Sequence, residues 1–236
     1  MKSDRQLRLE VAWACRILAM EGHNDLTLGH VSARAADGQT VYIKRLGLGL
    51  DEVMAKDVIS IDLDGQLISG AGSVHLEFPL HTEVYRLKPE VGAVIHTHPL
   101  HSIAWGLSSE PLKMLHHDST LFYEGIPRFT DISGLITTAH QGHVVAQALG
   151  NSLAILLRHH GILVVGKDVP WAVLTALTLE HVIKLQLLSE RLGDVPNEIS
   201  AKEAQILHLQ KFQDAFIDDY WNYLVRRARR AGSDVT

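Results

Sequence analysis

The chain has 236 residues, 46% hydrophobic and 21% charged, which is enough apolar material for a substantial core and excludes a disordered tail or a fibre. Twenty-two Lys and Arg against 27 Asp and Glu leave a net charge of −5, and the one short basic run, Arg226 to Arg230, lies almost at the C-terminus, so nucleic-acid binding through phosphate contacts is not expected. A single cysteine, Cys15, excludes a disulfide framework and a multi-thiolate zinc site; with no signal-like N-terminus and no run of about 20 apolar residues, a soluble, cytoplasmic protein without a membrane partner is expected.

No repeat or Pro/Ser-rich linker divides the sequence, so residues 1–236 read as a single domain. Leu7, Val11, Ala14 and Leu18 recur at helical spacing over Arg5 to Met20, with Gly22 placed to end that helix. Thr40 to Lys44 and Val58 to Leu63 are short β-branched runs, and Asp64-Gly65 before QLIS predicts a hairpin into a third strand. A helix follows over Glu77 to Leu87, with Pro79 tolerated in its first turn, then a buried strand over Val91 to His96. Thr137 to Leu149 reads as a helix, and Leu153 to Arg158 and Ile162 to Val165 as strands around a His159-His160-Gly161 turn. Asp168 can cap a long helix from Val169 to Leu192, and a last helix is expected from Ala201 to Arg230. Strands with helices before, between and after them predict an α/β layered fold.

The chain carries 15 histidines, seven of them between His75 and His117. Two of these, in His96-Thr97-His98-Pro99, end the strand VGAVIH; side chains two apart on a strand share a face, so both imidazoles can meet one cation. His160, at the end of another apolar strand, can supply a third ligand, and three imidazoles with an open position suit a catalytic metal site. Glu77, at the expected start of a helix, is a carboxylate that the helix dipole stabilises as the anion, and it is the candidate acid/base.

The order HLEFPLH, VIHTHP and RHHG, together with GHVSAR at Gly29 to Arg34, resembles the class II aldolase and adducin family over most of the chain. The resemblance implies a three-layer α/β/α fold around a mainly antiparallel sheet, and a homotetramer with active sites between subunits. It makes His96, His98 and His160 ligands of one divalent ion, zinc or manganese, and Glu77 the acid/base. All four residues are present, which separates the chain from adducin-like scaffolds without a metal site. The family's phosphate-binding positions, however, read here Gly29-His30, Leu46-Gly47 and His75-Leu76 in place of small hydroxyl and amide donors. His30, Lys44, Arg45 and His75 form a cationic and bulkier set suited to a carboxylate. The stretches WACRILAMEG, GHVSAR and LHHDSTLFYEG resemble the branch that decarboxylates hydroxylated aromatic or pyridine dicarboxylates. Where the aldolases carry a tyrosine that protonates the leaving group across the subunit boundary, His116 stands here, with His117 and Tyr123 nearby. The expectation is a metal-dependent carbon–carbon lyase acting on a small carboxylate, most simply a decarboxylase. An aldolase acting on a sugar phosphate and an adducin-like scaffold are the alternatives. Tyr220, Trp221 and Tyr223 near the C-terminus are candidates to reach over a neighbour's site.

Overall fold

Ser3 accepts a hydrogen bond from the Gln6 amide while the Gln6 side chain returns one to Ser3, and this capping box opens α1 (Asp4–Leu18) in the computed structural model, which describes residues 2–131, 134–193 and 198–236. The predicted stripe of Leu7, Val11, Ala14 and Leu18 is buried. The helix widens into a π-turn, Ala19–His23, and stops at Gly22, whose φ of 88° suits a residue without a Cβ. Four strands follow: β1 (His30–Arg34), β2 (Val41–Lys44), β3 (Val58–Ile61) and β4 (Leu67–Ser69). At the β3–β4 hairpin the Asp62 carboxylate accepts the Asp64 and Gln66 N–H groups, and Gly65 takes φ 80°. Next come α2 (Pro79–Leu87), β5 (Ala93–Thr97), α3 (Leu100–Gly106), a 3₁₀ turn (His117–Phe122), β6 (Arg128–Phe129), α4 (Ala139–Leu149), β7 (Ala154–Leu157), β8 (Gly161–Gly166), α5 (Val169–Glu190), α6 (Ala201–Lys211) and α7 (Asp214–Arg230).

The eight strands form one sheet in the order β4-β3-β2-β1-β5-β8-β7-β6, antiparallel throughout except for β6 beside β7. Its two faces are both covered. Val31, Ala33, Ala93, Ile95, Ile162 and Val164 pack with residues of α1 and α5, while Val94, Leu163 and Val165 pack on the other side with Leu80 and Val84 of α2 and Val145 and Leu149 of α4. This is the three-layer α/β/α arrangement, with β1 and β5 at the centre of the sheet and β8 next to β5.

Two expectations needed correction. The helix from Glu77 begins at Pro79, so Glu77 lies in the turn before it and outside the helix's first turn. The expected last helix is two: Phe212 and Gln213 leave helical geometry, which lets α6 pack on the 117–122 turn through His208 and Lys211 while α7 turns onto α1 and α5. By length and composition alone α5 could cross a membrane, but half of its apolar stretch is buried within the fold, as in a core helix.

Candidate metal centre

Alternation along β5 sends Ile95 into the α1 side and Val94 into the α2 side, and His96 shares the face of Val94. Both ring nitrogens of His96 are positioned from two directions. Its Nδ1 lies 2.9 Å from the Ile162 carbonyl on β8, and its Nε2 lies 3.1 Å from the Nε2 of His98, just beyond the strand end. His160 comes from the turn joining β7 to β8. There His159 takes φ 62°, in the left-handed region that non-glycine residues seldom adopt, and the His160 N–H bonds the Leu157 carbonyl. Gly161 allows the approach: a Cβ there would stand 2.4 Å from the Thr97 carbonyl oxygen and 2.5 Å from Cδ2 of His98. The ligand atoms of His96, His98 and His160 all fall within 4.8 Å of one another.

Hydrogen bonds fix two of the tautomers. A carbonyl only accepts, so His96 Nδ1 must carry the proton that bonds Ile162; likewise His98 Nδ1 donates to Asp25 Oδ2 at 3.0 Å. Two bare Nε2 lone pairs therefore face each other across 3.1 Å, with no proton between them. Such a pair repels unless a cation takes both, and donor groups held from behind by a carbonyl and a carboxylate are the usual support of metal-bound imidazole. Burial, followed by the neighbouring His160 and His98 rings, holds the His96 pKa well below its ordinary value; burial also lowers that of His98, against the Asp25 hydrogen bond. Both rings are therefore neutral at physiological pH. The donor set fits a divalent transition metal.

Glu77 completes the cluster. Its Oε2 is 3.4 Å from His160 Nε2 and 3.7 Å from His96 Nε2, and its Oε1 accepts the Ile136 N–H at 2.8 Å. Burial, the largest influence, pushes its carboxyl up, but the His160 and Ile136 hydrogen bonds together hold it below the usual range. The anion is thus sustained by these bonds, and the helix-dipole argument drawn from sequence does not apply. A cavity of about 250 Å³ opens beside His160, lined by Phe129, Leu135, Ile136, Leu157, Arg158 and His159.

His30 lies on β1 directly across from His96, fully buried, its ring centroid 5.0 Å from that of His96 and 4.0 Å from that of His75. Nδ1 of His75 accepts the Glu77 N–H, and the Nε2 atoms of both His30 and His75 are buried without a partner. Burial, then the Lys44 charge, lowers the His75 pKa to about 4, and burial takes that of His30 well below its ordinary value. Behind His30, its Nδ1 meets His81 Nε2 at 2.5 Å, and Ser32 Oγ joins His81 Nδ1 to the Tyr85 hydroxyl at 2.7 Å on either side.

Of the residues singled out from sequence, the structure gathers six: His30, His75, Glu77, His96, His98 and His160. The Lys44 ammonium is fully buried and bonds the Thr27 and Leu48 carbonyls. Arg45 pairs through Nε with Asp57 Oδ1 at 3.1 Å. His116, with its side chain 46% exposed, forms a separate group with Asp118 and His181, and Asp118 is also paired with Lys211. Tyr123 bonds Glu124 and stacks edge-on against His208. Tyr220 and Tyr223 are partly exposed on α7. Sequence reasoning passed over Asp25, Ser32, His81, Tyr85 and the Ile136 N–H; His81 and Tyr85 four apart on a helix, and Ser32 two beyond His30 on a strand, are the spacings that connect three of them.

Fold and site define a class: a three-layer α/β/α protein with three histidines and a glutamate converging at the end of its central strands. The chain belongs to the class II aldolase and adducin family, whose Class II Aldolase and Adducin N-terminal domain profile matches residues 9–187. It is 30% identical to the Meiotically up-regulated gene 14 protein of Schizosaccharomyces pombe over 181 residues, 75% of this chain and 70% of that protein. It is also 30% identical to Decarboxylase NovR of Streptomyces niveus over 169 residues, 71% of this chain and 62% of NovR. Among solved structures, the L-fuculose 1-phosphate aldolase of Glaciozyma antarctica superposes with a TM-score of 0.86 at 23% identity, covering 98% of this chain and 93% of that one. An aldolase II superfamily protein of Pseudomonas syringae gives 0.88 at 22%, covering 100% and 96%.

Proposed function

We propose that the protein is a metal-dependent carbon–carbon lyase, and within that class a decarboxylase of a hydroxylated aromatic or pyridine carboxylate. The observation that carries the reading is the pair of bare, opposed Nε2 atoms of His96 and His98 with Glu77 Oε2 beside them. His96, His98 and His160 would hold one divalent ion, zinc or manganese, which when bound supplies Lewis acidity to a substrate oxygen next to the bond that breaks.

The remaining steps belong to the chain's own groups. Glu77 takes the substrate hydroxyl proton at Oε2 and delivers it to the ring carbon; the carbon–carbon pair stays with the ring, and the carboxyl group leaves as carbon dioxide. His30 and His75 hold the departing carboxylate. Lys44 ties Thr27 to Leu48 through their carbonyls, and Arg45 is proposed to reach the carboxylate by leaving its pairing with Asp57. His116 or Tyr123, delivered from a neighbouring subunit of a homotetramer, is the candidate for a second proton donor.

Cleavage of a sugar phosphate is the second reading, supported by the aldolase names among the structural neighbours. The anion-binding positions weigh against it, because Leu46 and Leu76 offer no hydrogen bond to a phosphate dianion. The test is a panel of hydroxy-aromatic and pyridine carboxylates beside sugar phosphates, run with the zinc- and the manganese-loaded protein and read by carbon dioxide and dihydroxyacetone phosphate. Carbon dioxide release is expected. Dihydroxyacetone phosphate from L-fuculose 1-phosphate would make the aldolase reading the answer, and a protein that binds no metal and turns over nothing would be a scaffold.

A further inference from the structure

Ser32, His81 and Tyr85 have no part in the reaction above, yet they form an unbroken buried row behind His30: Tyr85 hydroxyl to Ser32 Oγ 2.7 Å, Ser32 Oγ to His81 Nδ1 2.7 Å, His81 Nε2 to His30 Nδ1 2.5 Å. All four side chains are at most 2% exposed. A Ser32 that accepted from both neighbours would leave its own buried proton unused within the row; with Ser32 passing a proton along, the three bonds can be polarised in two directions. In one, Tyr85 donates to Ser32, Ser32 to His81 Nδ1, and His81 Nε2–H to His30 Nδ1, which leaves the last proton on His30 Nε2. In the other, every proton points away from His30, and the phenol proton at the far end has no acceptor among the described residues.

A buried hydroxyl proton without an acceptor is unfavourable, whereas His30 Nε2 is free of protein partners on a ring whose ligand atom lies within 4.8 Å of those of Glu77 and His96, so a proton there is available to a ligand of the site. The first direction partners every group within the row and leaves one proton, on His30 Nε2, for a ligand in the site. His75 is set the same way by a different contact: its Nδ1 accepts the Glu77 N–H, so its buried, unpartnered Nε2 carries the proton. We propose that Tyr85, Ser32 and His81 are a positioning relay that fixes His30 as an Nε2–H donor, so that His30 and His75 present two neutral N–H groups to one oxygen of the substrate's carboxylate. The relay orients His30 whatever the substrate; that the accepting oxygen belongs to a carboxylate rests on the proposed function.

The test uses the full chain, zinc-loaded and labelled with ¹⁵N-histidine, with His30 assigned by comparison with a His30→Gln sample. Long-range ¹H–¹⁵N spectra report which ring nitrogen carries the proton without any need for turnover. The expected result is a protonated Nε2 and a bare Nδ1 on His30 and on His75. A protonated Nδ1 and bare Nε2 on His30 would overturn the relay and turn that ring into a further metal ligand. Tyr85→Phe removes the terminal donor; it should weaken 2-hydroxybenzoate binding roughly tenfold, the effect of one neutral hydrogen bond, with zinc content unchanged. An unchanged His30 spectrum together with unchanged affinity in Tyr85→Phe also refutes the relay. If His30 carries its proton on Nε2 but 2-hydroxybenzoate does not bind, the relay stands and the carboxylate reading fails.

Discussion

Glu77 offers the most discriminating perturbation, because its two oxygens do separable things. Oε1 satisfies the buried Ile136 N–H, and Oε2 faces the His96 and His160 nitrogens. Glu77→Gln keeps an oxygen for Ile136 and the side-chain shape, and removes only the capacity to carry a proton. Turnover should fall by roughly 10²- to 10⁴-fold, the usual contribution of a positioned acid/base, while metal content stays near parental and the melting temperature moves by less than about 2 °C. Glu77→Ala removes the acceptor as well. An orphaned buried N–H costs about 1–3 kcal/mol, and at about 2–4 °C per kcal/mol for a chain of this size the melting temperature should drop by roughly 2–12 °C. The assay pairs carbon dioxide release on the substrate the panel identifies with thermal melts and metal analysis of the two variants. A Glu77→Gln protein that runs at the parental rate would refute the assignment and move the acid/base role to His116. Equal melting temperatures for the two variants would show that the Ile136 bond contributes nothing.

His98→Ala should lower metal content and activity together; full occupancy with normal turnover in that variant would remove the three-histidine assignment. Asp25→Ala takes away the acceptor behind His98 and should weaken zinc affinity about 10- to 100-fold in a competition titration, nearer the lower figure because the Asp25 side chain is 41% exposed. Gly161→Ala places a Cβ against the Thr97 carbonyl and the His98 ring, so both denaturant stability and metal content should fall, stability by about 1–3 kcal/mol or more. Buried His23 and His81 have pKa values pushed down by burial to about 4 and about 3, below the ordinary 6.5 of the unfolded chain. The unfolded state therefore binds more protons as pH falls through 6.5, and each residue should remove about 2 kcal/mol of stability between pH 7 and pH 5. Denaturant midpoints of the metal-free protein across that range measure it, and a midpoint that stays flat or rises contradicts the neutral, buried state of these rings.

The convergence of the three histidines was legible because it is local: His96 and His98 stand two apart at the end of one strand, and His160 follows a second apolar strand. Element positions were legible for the same reason, as at Asp64-Gly65, where the turn chemistry is carried by adjacent residues. The supports of the site are not local. Asp25 reaches His98 across 73 positions and Ile136 reaches Glu77 across 59, distances over which spacing carries no signal. The division of the last helix into α6 and α7 was hidden for a related cause: neither Pro nor Gly marks Phe212-Gln213, and the break answers to two packing partners far apart in the chain. Lys44 looked like a ligand for an anion because its charge was visible and its burial was not.

The proposed three-histidine site would make a bound cation a structural element of the fold as much as a reagent. Two of the histidines sit on and just past β5 and the third on the turn into β8, so one ion held by all three would tie together two adjacent inner strands of an eight-stranded sheet. Anything that binds only the folded chain adds RT ln(1 + [L]/Kd) to its stability, about 2.7 kcal/mol at a free concentration one hundred times Kd. Metal supply would then govern how much of the protein survives as well as how fast each copy works, and a cell short of the ion would lose enzyme faster than the occupancy of its sites alone suggests.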